Sequence, residues 1–169
     1  MHDHPRLGID GDFHYDYVFP KGGMYRVLGD FYPDAATPQL SLKTVIVPGP
    51  APKPVLLSRD YSTKNASNLQ ADLKTIPSEP IAGMETQMYF NLSPGDGLEK
   101  YLGAWGHMLA GSDDLVDMIH NHPFIADGGP QIEFKLVFPR ARTNRVWVQF
   151  QRKGVVNTVH FDVPVKTLG

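Results

Sequence analysis

Gly103–Pro123, GAWGHMLAGSDDLVDMIHNHP, holds three of the chain's seven histidines: His107, His120 and His122. Neutral imidazole ligates both copper(II) and zinc, and three imidazoles with a water complete an open tetrahedral or tetragonal site. Met118 and Met108 in the same stretch are soft thioether donors of the kind copper(I) takes. A further pair, His2 and His4, stands in His2-Asp3-His4-Pro5 and repeats the pattern of His120-Asn121-His122-Pro123. The same residues also admit a purely structural role, in which ring nitrogens tie loops down by bonding backbone carbonyls.

For the three rings to meet, the stretch must fold as a hairpin. Ala104–Ala110 and Leu115–His120 are the two expected strands, with Gly111-Ser112-Asp113-Asp114 as a four-residue loop. Pairing Ala110 with Leu115 sets His107 opposite Met118 and Trp105 opposite His120. Side chains alternate across a strand, so His107, Met118, His120 and His122 then share one face, with the i, i+2 histidines about 7 Å apart. A slip of one residue would move His107 to the other face. Asp113, Asp114 and Asp117 beside the loop are either carboxylates that orient a ligand imidazole or a solvated turn.

Composition narrows the function classes. The chain has no cysteine, which removes disulfides, thiolate metal sites and thiol nucleophiles. A formal net charge of −2, with Lys and Arg scattered singly, argues against nucleic acid or an anionic membrane as partner. No apolar run reaches the roughly 18 residues of a membrane span. There is no Gly-x-Ser-x-Gly, P-loop or dinucleotide fingerprint. The chemistry that remains is ligand or metal binding, and the expectation is a protein that is not an enzyme.

The supporting elements all look like short strands. Phe13–Phe19, Met24–Tyr32 and Leu40–Val47 come first, with Thr37-Pro38 in a loop. The proline-rich 49–54 cannot join a central strand and separates a unit at 1–48 from one at 55–169. The second unit opens on Val55–Leu57, a short strand or edge. Leu69–Ile76 follows, alternating like a strand although its propensities also allow a helical turn. Glu85–Leu92, the hairpin, the loop Phe124–Pro130, Gln131–Phe138, Asn144–Phe150 and Val155–Val165 complete it. Strands and turn signals at spacings of about 8–12 residues predict a β-sandwich or small barrel.

The chain also repeats itself. His2–Pro5 matches His120–Pro123 at an offset of 118, and Val18-Phe19-Pro20 matches Val137-Phe138-Pro139 at 119. Tyr25–Phe31 aligns with Asn144–Phe150, again at 119. The first copy begins at its HDHP and so lacks the strands that precede HNHP in the second. Either these residues lie inside a larger protein, or residues 1–50 pack as a partial domain, because a half-sandwich leaves an apolar face open.

Three motifs carry a resemblance. They are His120-Asn121-His122-Pro123, Gly23-Met24-Tyr25-Arg26-Val27-Leu28-Gly29-Asp30-Phe31 and Tyr101-Leu102-Gly103-Ala104-Trp105-Gly106-His107. Together they resemble the immunoglobulin-like β-sandwich domains of bacterial secreted and periplasmic proteins of the YtkA-like type. That resemblance implies an immunoglobulin-like fold, a periplasmic or secreted location and a link to heavy metals, copper above all, although no signal peptide heads these 169 residues.

The expected protein is therefore all-β: one complete immunoglobulin-like sandwich in 55–169 and a partial copy of the same unit in 1–48. Its expected cofactor is copper or zinc, held by His107, His120 and His122 with help from Met118, and with His2 and His4 as a second pair. Another envelope protein is a further expected partner. The alternative is a non-catalytic interaction or scaffold module of an envelope complex, its histidines structural.

Overall fold

Alternation of apolar and polar residues over most of the sequence produces strands throughout. The computed structural model describes residues 2–37, 39–124 and 127–169, and no helix occurs among them. Pro38 of the Thr37-Pro38 loop, and Ile125 and Ala126 of the Phe124–Pro130 loop, lie outside the described residues. The chain forms two compact units, Met1–Pro54 and Val55–Gly169, divided where the proline-rich segment ends.

In the first unit β1 (Arg6–Leu7) pairs with β2 (Phe13–His14), and β3 (Gly23–Phe31) with β4 (Gln39–Val47), both antiparallel. The strand expected over Phe13–Phe19 is cut to two residues. Its aligned counterpart in the second unit is a full strand because a long neighbour pairs with it, whereas here β1 offers only Arg6 and Leu7. The aligned side chains differ in the same sense. Phe13, Val27 and Phe31 are 69%, 44% and 47% exposed, while Ile132, Val146 and Phe150 are fully buried.

The second unit contains two antiparallel sheets. One runs β11 (Gln131–Val137), β7 (Glu85–Ser93), β6 (Gln70–Ile76), β5 (Lys64–Asn65). The other runs β10 (Met118–Asn121), β9 (His107–Ser112), β12 (Thr143–Arg152), β13 (Val155–Pro164), with β8 (Leu98–Glu99) also on β12. Burial alternates residue by residue along β6, β7 and β12, as period-2 sequences require. That alternation settles 70–76 as strand, whereas Val55–Leu57 joins no strand.

Inward side chains of both sheets make the core, including Met88, Phe90, Ile132 and Phe134 from one and Met108, Val146, Val148, Phe150 and Phe161 from the other. Phe90 joins the sheets: its ring centroid lies 5.6 Å from Phe134 of its own sheet, and 5.9 and 5.8 Å from Phe150 and Phe161 of the facing one. Each fully buried apolar side chain of this size stabilises the fold by about 1.5–3 kcal/mol, so the unit is centred on this aromatic cluster.

Ion pairs fasten the margins of the sandwich. Asp96 accepts from Lys153 and Arg152, which hold its carboxyl down at about 2. Asp114 is held well below the ordinary carboxylate range by Arg140 and then by Ser112. Both folded-state values lie below the unfolded ones. The stability they contribute is therefore complete above the unfolded value and lost as pH falls through the folded one. The part of the denaturation midpoint that Asp96 supplies is expected to be lost between the ordinary aspartate value of 3.8 and about 2, checked by comparing the protein with Asp96→Asn in denaturant titrations at stepped pH.

Candidate metal centre

The hairpin expected at the histidines is present, but its register is shifted. Ala110 pairs with Ile119 rather than Leu115, and the other pairs are Gly111 with Met118, Leu109 with His120 and Met108 with Asn121. β9 runs on to Ser112 because β12 pairs with it that far, Asn144 opposite Ser112. The connection is therefore Asp113–Asp117, not Gly111–Asp114.

Side-chain turns fix that connection. The Ser112 hydroxyl donates to Asp114 Oδ1 at 2.6 Å and accepts from the Asp117 N–H at 2.9 Å, while Leu115 takes a left-handed φ of 56°. Arg140 clamps it from outside, bidentate to Asp114 at 3.0 Å and to Asp117 at 2.7 Å, and Arg142 bonds Asp113 at 2.5 Å. The three aspartates thus belong to an arginine-held turn.

The shift is four positions, an even number, so every side chain keeps its expected face. Continuing the ladder one row past Asn121 brings His122 opposite His107. The three imidazoles are neighbours: His107 and His122 have ring centroids 4.9 Å apart, His120 and His122 4.9 Å, and His107 and His120 6.0 Å. A ring nitrogen of His107 and one of His120 lie within 4.8 Å of each other. Three imidazoles on one tetrahedral ion at about 2.0–2.1 Å place their centroids about 5.2 Å apart, a spacing the observed distances bracket.

Local structure sets each ring. Tyr101-Leu102-Gly103-Ala104 is a tight two-residue turn closed by Tyr101 N–H to the Ala104 carbonyl at 2.8 Å and Ala104 N–H to the Tyr101 carbonyl at 3.1 Å. Both central residues are left-handed, φ 47° at Leu102 and 86° at Gly103. The turn presents the Tyr101 carbonyl to His107 Nε2 at 2.7 Å. A carbonyl only accepts, so Nε2 carries the proton and the lone pair of His107 is on Nδ1. Metal-ligating histidines are typically fixed in this way, the second nitrogen bonding a carbonyl.

His122 is fixed from both sides. Asn121 Nδ2 donates to the Lys135 carbonyl at 2.5 Å, and Phe124 N–H to the Glu133 carbonyl at 2.7 Å.

Leu102 carries strain that glycine would not. Left-handed backbone costs an L-residue roughly 1–2 kcal/mol, against about 0.5–1 kcal/mol of added chain entropy when glycine replaces it. Leu102→Gly is thus expected to stabilise the unit by about 0.5 kcal/mol, read as a higher denaturant midpoint.

The two methionines are placed differently. Met108 is fully buried on the opposite face of β9, in the core with Val148, and cannot reach the triad. That corrects its role as a soft donor: consecutive residues of a strand point oppositely. Met118 is on the triad's face, but its sulfur lies across Gly111, 3.1 Å from where a Cβ would be, with the Trp147 ring alongside. His2 and His4 belong to the first unit, where their ring centroids are 6.2 Å apart and perpendicular.

Several neighbours of the histidines carried no signal in the histidine pattern. His122 borders an open groove of about 310 Å³ whose other walls are Lys100, Gly103, Ala104, Trp105, Pro123 and Phe124. The Tyr101 carbonyl is a backbone group that no side-chain motif reveals. A Leu-Gly pair between strand-like runs was the available hint of the turn that aims it.

A family profile described as a domain of unknown function, DUF8832, matches residues 64–167, a span that includes all three histidines. No curated protein and no solved structure matches the chain.

Proposed function

We propose that this chain, which belongs to the DUF8832 family, is a non-enzymatic envelope protein that captures a divalent transition metal, copper(II) or zinc, at His107, His120 and His122 and hands it on. The observation that carries the reading is the proximity of three imidazoles, with ring centroids 4.9–6.0 Å apart on one sheet face, and the orientation of His107 by the Tyr101 carbonyl. An all-nitrogen donor set suits these divalent ions better than copper(I), which takes thioether and thiolate. The envelope location rests on the resemblance to YtkA-like periplasmic and secreted domains.

The rival reading is a scaffold module, in which the Tyr101 carbonyl bond of His107 is a structural tie and no ion binds. Isothermal titration with copper(II) and with zinc separates the two. The metal reading expects a single site tighter than about 10 µM that His120→Ala and His122→Ala each remove, because loss of one donor of three leaves an incomplete shell. Absence of such binding in the intact chain leaves the scaffold reading.

A further inference from the structure

β3 is a strand of 9 residues with a neighbour on one side only: among the described residues it pairs with β4 alone. The N–H and carbonyl groups of an antiparallel strand point alternately to its two sides. Half of those of β3 therefore point away from β4, and among the described residues none of 24–29 makes a backbone bond outside that ladder. Met24, Val27 and Phe31 are exposed along this strand. The repeat identifies the missing neighbour. Tyr25–Phe31 aligns with Asn144–Phe150 of β12, which has β13 on one side and β9 on the other, along Asn144–Gln149. β4 follows β3 as β13 follows β12 and takes the first of these places. The second, along Tyr25–Asp30, has no strand among the described residues.

The residues of β3 are complementary to themselves. A two-fold axis through Leu28 sets Leu28 opposite Leu28 of a second copy, and sets Arg26 opposite Asp30, Tyr25 opposite Phe31 and Val27 opposite Gly29. The opposite charges meet twice and the aromatic rings twice. An axis through Arg26 or Asp30 would face like charges, and one through Val27 or Gly29 would set both charges against apolar or aromatic residues. The outer edge of β4 has no such match, because Lys43 is its only charged residue. Arg26 is held on its face by Nη1 donating to Thr44 Oγ1 at 2.6 Å, and no bond from its Nη2 occurs among the described residues.

We infer that the free edge of β3 is a homodimer interface: two copies pair antiparallel about Leu28 and join their hairpins into one four-stranded sheet, β4-β3-β3-β4. The second copy's β3 then takes the place that β9 takes beside β12. An isologous contact of this kind closes at two chains and does not propagate.

The test is sedimentation equilibrium of the intact chain from about 5 to 500 µM, a range suited to the weak association of a small interface. A monomer–dimer equilibrium is expected. Arg26→Asp and Asp30→Arg each place like charges opposite one another twice, so each alone should weaken the dimer about 10-fold or more. Mixed together, the two variants restore opposite charges at both positions, and a heterodimer within about threefold of the original affinity is expected. Circular dichroism of each variant checks that the strands are retained. If Arg26→Asp loses them, Asp30→Arg alone decides, and an undiminished dimer there overturns the inference. A chain that stays monomeric at 500 µM also overturns it. So does a dimer that neither reversal weakens, a pair of folded variants that fail to associate on mixing, or growth beyond two chains.

Discussion

His120→Ala is expected to weaken copper(II) binding at least about 100-fold, because altering a mere hydrogen-bond partner of a ligand already costs about 10–100-fold. His120 is a sensitive choice, since its centroid is 4.9 Å from His122 and 6.0 Å from His107, so its loss opens one side of the triad. Met118→Leu is the informative companion. Met118 shares the face of the triad, but its sulfur covers Gly111 beside Trp147, and the substitution preserves volume. Copper(II) affinity should be unchanged in Met118→Leu. If it drops as far as in His120→Ala, the sulfur reaches the ion and the all-nitrogen donor set is wrong. His14→Ala serves as the control, because that ring is occupied by Asp10, at 2.9 and 3.0 Å, in the other unit. Calorimetric titration of the four proteins in one buffer decides the matter.

The largest effect on stability is expected at Phe90. Its side chain is fully buried and joins Phe134, Phe150 and Phe161 across the two sheets. Phe90→Ala should cost about 3–5 kcal/mol, since a cavity between facing sheets cannot collapse without moving both. For a unit of this size that lowers Tm by about 10–25 °C. Phe31→Ala provides the contrast. Phe31 aligns with Phe150 in the repeat, yet it is 47% exposed, so its truncation should cost less than about 1 kcal/mol. Thermal unfolding followed by circular dichroism reads both. Equal losses in the two variants would show that the first unit has a core as consequential as that of the second.

The contrast between Phe31 and Phe150 also marks where the repeat stops being a guide. Aligned residues have the same strand pattern, and β3 and β12 both form. Burial does not follow, because it depends on a facing sheet. In the second unit β6 and β7 supply that sheet. The run at 13–19 shows the same dependence: it alternates as well as β11 does, but its ladder extends only as far as β1 reaches.

What the sequence determined by itself was the membership of faces. Strand side chains repeat every two residues, so His107, Met118, His120 and His122 fall together under any even shift, and the four-position shift found here left them so. The all-β character and the division near Pro54 were legible for a similar reason, since alternation and proline are local properties. Only the tertiary structure decided which rings stand opposite one another, because that register is set by β12 pairing out to Ser112 and by Arg140 and Arg142 gripping the Asp113–Asp117 turn. It alone decided that Met108 belongs to the core, that the Tyr101 carbonyl orients His107, and that His122 borders a groove. Each of these depends on a neighbour distant in the chain or on a backbone atom, and one-dimensional periodicity encodes neither.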